Sequence, residues 1–115
     1  MVIYIDVDET ICITPGDANS ARDYNNAEPI KKNIETCNRL YDDGHEIVYW
    51  TARGCTTGLD WRELTEKQFR AWGVKYHDLK LDKPFYDIFI DDKNINSDDF
   101  FQLEVEQISE SLKEE

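Results

Sequence analysis

Cysteine is scarce and irregularly spaced in this chain. Cys12, Cys37 and Cys55 are the three cysteines among 115 residues, and no two of them form a CxxC pair. An odd number of cysteines without that spacing indicates neither a disulfide framework nor a zinc site. The sequence also lacks internal repeats, low-complexity segments and a recognisable linker. A reducing cytoplasm is the simplest setting for such a chain, and we expect a cytoplasmic protein.

Long apolar runs are absent as well. The apolar start of the chain has no basic leader and breaks at Asp6, so we expect no signal peptide. Nowhere else is an apolar run long enough to cross a bilayer, which takes about 20 residues. We therefore expect no membrane partner.

Positive charge is the third scarcity. Lysine and arginine number 13 against 25 aspartates and glutamates, which gives a formal net charge of −12. Phosphate backbones are attracted by clustered basic residues, so this balance argues against a generic nucleic-acid binder. An anionic substrate would need local help from a metal or a few placed cations. With 40% hydrophobic residues, the chain has enough apolar material for one globular domain over residues 1–115.

The apolar run Val2 to Ile5 ends abruptly in carboxylates. Asp6 and Asp8 follow it directly, with Glu9 and Thr10 beyond. β-branched and aromatic residues in so short a run predict a strand buried on both faces of a parallel sheet. Open α/β sheets bind ligands just outside the carboxyl ends of their strands. Because two carboxylates this close repel each other, a divalent cation beside them is the first hypothesis.

The rest of the chain alternates helical and strand patterns. Turn-forming residues predict a flap loop over 11–28, richest in them from Thr14 to Ala27. The patterns after it predict a helix from Pro29 to Gly44, a strand over 45–50 ending in Thr51, and a second helix over 60–72. A weak strand over 74–76 and a connection carrying Lys83 come next. The chain then continues with a strand over 86–90 ending in Asp91 and Asp92, and with a helix from Ser97 onward. This order predicts a three-layer α/β fold, a Rossmann-like parallel sheet with helices on both faces.

If the strong strands are parallel neighbours, one sheet edge collects a recognisable chemical set. Carboxylates without histidine or cysteine suit Mg²⁺, which keeps several waters and a substrate phosphate as ligands. Thr51 and Lys83 could then bind phosphoryl oxygens. Asp6 is free to attack phosphorus and form an aspartyl-phosphate. Asp8 is placed to protonate the leaving oxygen and later to take a proton from water.

In these residues the chain resembles a haloacid dehalogenase superfamily phosphatase. The family's four motifs occur in order: Asp6 to Thr10, Thr51, Lys83 and the Asp91-Asp92 pair. The resemblance covers about residues 2–99. It implies Asp6 as nucleophile, Asp8 as acid/base with its carbonyl on the metal, and Asp91 or Asp92 as a further metal ligand.

Two departures refine the resemblance. The second residue after Val7 is Glu9, where the family very often has glycine, and we expect its carboxylate to point away from the site. The intervals between motifs are too short for the cap domain of larger members. The chain therefore is similar to the capless subgroup, whose members act on large substrates or close their sites with a neighbouring subunit, and a homo-oligomer covering the site is possible on this basis. The layout further resembles small phosphatases of bacterial capsule and surface-sugar synthesis.

Several alternatives stay open at this point. A receiver domain uses similar groups, but it carries its acidic pair after the first strand and a single phosphorylated aspartate at mid-chain, whereas here a second acidic pair comes late, after Lys83. A non-catalytic binder of a phosphosugar or protein partner would keep the same fold. A polynucleotide 3′-phosphatase is the third alternative, disfavoured by the acidic charge. For a small phosphorylated substrate such as a sugar phosphate, Thr10 and Arg53 are the candidates for binding, with Arg22 in the flap a weaker one. The competing interpretation of Arg53 is a surface salt bridge to one of the many acidic residues.

Overall fold

The computed structural model describes residues 1–16, 22–54 and 58–103. Tertiary contacts divide the chain into two compact units, one from Met1 to Phe85 and one that begins at Tyr86. The single domain predicted over residues 1–115 stays a prediction from the sequence. The two units are described in turn below.

The first unit is a mixed α/β structure around a small parallel sheet. Its described elements are, in chain order, β1 (Val2–Ile5), β2 (Cys12–Ile13), a 3₁₀ turn (Tyr24–Asn26), β3 (Glu28–Pro29), α1 (Lys31–Asp42), β4 (Glu46–Trp50), α2 (Arg62–Trp72) and β5 (Asp78–Lys80). The strands β1, β4 and β5 pair in that order, and both pairings are parallel. This confirms the parallel α/β arrangement predicted for this part of the chain.

Strand β4 forms the centre of this sheet. Its residues Ile47, Val48 and Tyr49 are buried, as expected for a strand paired on both sides. β1 differs from the prediction of a strand buried on both faces, because Val2 and Tyr4 are exposed. Val2 and Tyr4 alternate with Ile3 and Ile5 and so lie on the same face of β1, and this face is the exposed one.

Helix α1 follows the predicted periodicity, and α2 follows it only in part, because Phe69 is buried whereas Trp61, Leu64 and Trp72 of the expected apolar side are not. α1 buries Ile34, Cys37 and Leu40, so Cys37 is a core residue. α2 buries Phe69, whose ring packs edge-on against Tyr49 at a centroid distance of 5.0 Å. α2 ends at Gly73, whose left-handed backbone (φ 69°) lets its N–H bond back to carbonyls of the last turn. Pro29, predicted in the first helical turn, lies instead in β3, and α1 begins two residues later.

The predicted flap has a short ordered base. β2 and β3 pair antiparallel through Cys12 with Pro29 and Ile13 with Glu28. The loop between them, within the predicted 11–28 segment, is described except for residues 17–21. The two ends of the flap are therefore paired with each other at its base.

Two strand predictions are wrong. The weak strand predicted over 74–76 occurs instead as β5 over Asp78–Lys80. The strand predicted over 86–90 does not form, and residues 81–96 contain neither helix nor strand. Ile88 and Ile90 are 75% and 88% exposed. A short apolar run predicts a strand only if a neighbouring strand completes its hydrogen bonds, and no such neighbour pairs with it among the described residues.

The described helix of the second unit is α3 (Ser97–Phe101). Its N-cap is Asn96, whose side chain accepts a hydrogen bond from the N–H of Asp98, rather than the predicted Ser97. Asp98 and Asp99 lie in its first turn, where negative charge is favourable. The remainder of the helix predicted after Phe101 falls largely outside the described residues. None of the described helices is long and apolar enough to cross a membrane.

Candidate functional site

Three of the predicted site residues meet beyond the carboxyl ends of β1 and β4. Asp6 directly follows β1, and Thr51 directly follows β4. The two strands are parallel, with Ile5 in register with Tyr49. The segments that follow the two strands therefore leave the sheet at the same edge. Thr51 is buried, and its hydroxyl accepts a hydrogen bond from the N–H of Arg53 at 3.2 Å.

Lys83 reaches this edge from the segment after β5. Its backbone N–H donates to the carbonyl of Thr51 at 3.3 Å, which holds the segment beside β4. Its Nζ lies 3.4 Å from Oδ2 of Asp6 and 5.7 Å from the centre of the Trp50 ring. The structure therefore brings together Asp6, Thr51 and Lys83, which are separated by up to 77 residues in sequence.

Asp6 presents a partly exposed carboxylate. Its Oδ1 accepts a hydrogen bond from the N–H of Val7 at 2.8 Å, and its side chain is 41% exposed. Loss of hydration raises the pKa of Asp6 above its ordinary value, and the Asp8 carboxylate adds to that rise, against the opposing effects of Lys83 and the Val7 amide. A carboxylate that has lost hydration and has a like charge nearby attracts a cation or an electrophilic phosphorus.

Asp8 has a different environment. Its carboxylate is forked by the guanidinium of Arg53, with Nη2 at 2.9 Å from Oδ1 and Nε at 3.1 Å from Oδ2. Thr14 donates its hydroxyl to the same Oδ1. Two carboxylates that sit two residues apart in sequence are thus differently solvated, since Asp6 is partly open and Asp8 is engaged by an arginine.

Arg53 is buried rather than turned toward solvent. Its side chain has no exposed surface, and its Nη1 donates to Thr65 at 3.0 Å and to Gln68 at 2.7 Å. Its guanidinium carbon also lies 4.8 Å from the centre of the Tyr24 ring. The salt bridge of the competing interpretation is therefore present, to Asp8, but it is buried and not at the surface as that interpretation expected. Direct substrate binding by Arg53 stays a prediction that these contacts do not favour.

Glu9, at the position where the resembled family very often has glycine, lies in the turn after Asp8. Glu9 has a left-handed backbone with φ 61°, a conformation that glycine adopts without steric cost. Its carboxylate accepts a hydrogen bond from Arg22 at 2.7 Å, so it is tied to the flap. Arg22 also donates to the carbonyls of Thr14 and Gly16. Arg22, proposed from sequence as a weak substrate contact, thus holds the flap to the turn.

Thr10 is buried in the same turn. Its N–H donates to the carbonyl of Val7 at 3.2 Å, and its carbonyl accepts from Asn33 of α1 at 2.8 Å. These contacts anchor the turn that carries Asp8 onto helix α1. A substrate contact by Thr10 stays a prediction.

The predicted metal ligands fall in two units. Asp6 and Asp8 lie in the first unit, whose described residues contain no group of three or more His, Cys, Asp or Glu side chains that could hold a metal. Mg²⁺ is often bound through one or two carboxylates plus waters and substrate phosphates, so the partly exposed Asp6 fits that mode. Asp91 and Asp92 lie in the second unit. There, a hydrogen bond shared between the Asp91 and Asp92 carboxyl groups, together with the N–H that Lys93 donates, lowers the pKa of Asp91.

Sequence reasoning missed the residues that surround Arg53. Thr65 and Gln68 lie on the inner face of α2 with Phe69, and all three are buried. Polar residues at the positions of an apolar helical stripe were the available signal, because buried polar groups require partners. Thr14 carried no signal of this kind.

A scan against protein-family models finds no match, and a search of curated proteins finds none. Among solved structures, the chain is similar to a crystal structure of a structural-genomics target from Vibrio cholerae. The two share 24% sequence identity at a TM-score of 0.78, over 98% of this chain and 97% of the other. At that identity the similarity supports the fold alone.

Proposed function

We propose that the protein is a Mg²⁺-dependent phosphomonoester hydrolase that acts through an aspartyl-phosphate on Asp6. The observation that supports this most strongly is the meeting of Asp6, Thr51 and Lys83 at one sheet edge, with Asp8 beside them. In this proposal the fold is the three-layer, capless arrangement of the haloacid dehalogenase superfamily. The residues carry the argument, since no family model matches the chain.

The first chemical step uses the partly exposed Asp6. One of its carboxylate oxygens attacks phosphorus while the bond between phosphorus and the leaving oxygen breaks. Lys83, within 3.4 Å of that carboxylate, stabilises the negative charge on the phosphoryl oxygens as a fixed cation. In this proposal the hydroxyl of Thr51, which directly follows β4, donates to the same oxygens.

Asp8 handles the protons in both steps. It gives a proton to the leaving oxygen and then removes one from the water that hydrolyses the aspartyl-phosphate. Asp6 and the Asp8 carbonyl are the first-unit groups that would hold Mg²⁺, and the ion when bound neutralises phosphoryl charge and orients the substrate. Asp91 and Asp92 as further ligands stay a prediction from the sequence.

For the substrate we propose a sugar phosphate or a related small metabolite. The capless layout leaves room for a neighbouring subunit to cover the site, and a place in bacterial surface-sugar synthesis in the cytoplasm is the narrower form of the proposal. The charge of −12 disfavours a polynucleotide 3′ end because such a substrate is polyanionic.

Phosphate release tests the proposal directly. Wild type and Asp6→Asn are assayed with 4-nitrophenyl phosphate and a panel of sugar phosphates, each with Mg²⁺ and with EDTA. We expect release that requires Mg²⁺ and is abolished in Asp6→Asn. Asp42→Asn is the matched control, because Asp42 is a surface carboxylate on α1 that pairs with Lys75 at 2.8 Å, and it should retain full activity.

The alternative functions give different results in the same assay. Wild-type activity in Asp6→Asn would refute the assigned nucleophile. No release from any substrate by a protein that binds sugar phosphates would indicate a non-catalytic binder. Release only from 3′-phosphorylated oligonucleotides, with salt-dependent binding, would indicate an end-processing enzyme.

A further inference from the structure

Arg53 is a fully buried cation whose single carboxylate partner among the described residues is Asp8. Burying such a pair costs solvation free energy that the attraction between the two charges often fails to recover. Stability alone is therefore a weak explanation for this ion pair. We infer that Arg53 is a positioning residue that fixes the carboxylate of Asp8 so that its Oδ2 faces the reacting atoms. This inference rests on the proposed function and assigns to Arg53 a role other than substrate binding.

The two oxygens of Asp8 are unequally used. Oδ1 accepts hydrogen bonds from Arg53 Nη2 at 2.9 Å and from the hydroxyl of Thr14, and the thiol of Cys12 lies 3.6 Å from it. Among the described residues, Oδ2 accepts only from Arg53 Nε, at 3.1 Å. A carboxylate oxygen can accept two hydrogen bonds along its lone pairs, so Oδ2 has capacity left for a proton and Oδ1 does not.

The guanidinium is itself held from the opposite side. Nη1 is bound by Thr65 and Gln68 of α2, and the Tyr24 ring packs over the guanidinium plane. Gln68 in turn donates to the carbonyl of Tyr24 at 2.6 Å. The guanidinium cannot rotate without losing hydrogen bonds, because each of its three nitrogens already donates to an acceptor. Helix α2 therefore sets the orientation of Asp8 through Arg53.

The orientation matters in both chemical steps. As an oxygen of Asp6 bonds to phosphorus, the electron pair of the breaking P–O bond goes to the leaving oxygen, which takes the proton from Oδ2 of Asp8. In the second step Oδ2 removes a proton from water, the water oxygen bonds to phosphorus, and the carboxylate of Asp6 is released with phosphate. An Asp8 that can rotate would perform each transfer less often.

Leaving groups of different basicity distinguish positioning from general structural damage. An alkyl phosphate needs its leaving oxygen protonated, whereas 4-nitrophenolate leaves readily without a proton. We expect kcat of Asp8→Asn on an alkyl phosphate to fall by about 10²-fold or more, with a smaller loss on 4-nitrophenyl phosphate. Arg53→Gln should reproduce this pattern, and Arg53→Lys should restore part of the alkyl activity because it keeps the charge without the fork.

The control variant is Arg62→Ala. Arg62 lies at the start of α2, its side chain is 47% exposed, and it contacts Glu66 and the carbonyl of Leu79 in β5. We expect it to retain the wild-type ratio of activity on the two substrates. An Arg53→Gln protein that loses activity equally on both substrates, or that loses none, would overturn the positioning role while leaving the proposed function intact.

A second measurement does not depend on turnover. Wild type, Asp8→Asn, Arg53→Gln and the double variant form a thermodynamic cycle in urea unfolding. We expect the double variant to lose less stability than the two single losses added together. If wild type releases no phosphate, the proposed function fails, and this cycle decides whether Arg53 holds Asp8; additive losses would overturn the inference.

Discussion

Substituting alanine for Gly54, the residue after Arg53, tests how tightly the chain turns in the segment that follows β4. Gly54 has φ 83°, in the left-handed region that costs other residues about 1–2 kcal/mol. A Cβ built there would come closer to the carbonyl oxygen of Leu59 than real Cβ atoms come to any neighbour, and would lie 3.0 Å from Cδ1 of Trp61. Relieving such an overlap costs about 1–3 kcal/mol more.

Gly73→Ala is the matched control for this prediction. Gly73 has φ 69°, and a Cβ there would meet nothing within 4 Å. We therefore expect Gly54→Ala to lower the free energy of unfolding by about 2–5 kcal/mol, and Gly73→Ala by about 1–2 kcal/mol. Urea unfolding followed by tryptophan fluorescence measures both. Equal losses in the two variants would refute the close approach between Gly54 and Leu59.

Two further predictions concern the turn and the thiols. Glu9→Gly should have a free energy of unfolding about 1 kcal/mol higher than that of Glu9→Ala. Both variants lose the hydrogen bond to Arg22, but only the alanine variant keeps the strain of the left-handed backbone. Equal unfolding midpoints in urea would contradict this. Burial raises the pKa of Cys12 and of Cys37 to about 11, from 9.0, so in a Cys55→Ser background neither should react with a disulfide reagent at pH 8 until the protein unfolds. Rapid labelling of the folded protein would refute the burial of these thiols. Because the folded state holds both thiol protons more tightly than the unfolded state, their contribution to the free energy of unfolding should be full below pH 9 and fall as pH rises through about 11.

Periodicity alone predicted much of the first unit. The apolar run before Asp6 became β1, the run before Thr51 became β4, and the helical stripes became α1 and α2 with errors of one or two residues at their ends. Local rules suffice for these elements, because a strand or helix is specified by side chains that repeat within a few residues. The same rules located Asp6 and Thr51 at strand ends, which is where parallel strands place ligands.

The second unit shows the limit of such rules. The run from Tyr86 to Ile90 has the composition of a strand, yet these residues, which the structure describes, do not form a strand. A strand depends on backbone partners from elsewhere in the chain, and composition does not specify them. The prediction that Asp91 and Asp92 stand at a strand end therefore loses its structural basis, although their proposed role in metal binding stays testable by substitution.

The sequence by itself determined which residues of this protein are candidates for chemistry, because carboxylates, a hydroxyl and a lysine at or near the ends of apolar runs are visible without a structure. Only the tertiary structure decided what each of them faces. Arg53 has the same sequence signal whether it meets a substrate or Asp8, and its burial results from α2 and the flap packing on either side of it. Those contacts and the bond to Asp8 join residues 12 to 45 positions apart in the chain, and no local pattern encodes a contact between segments that far apart.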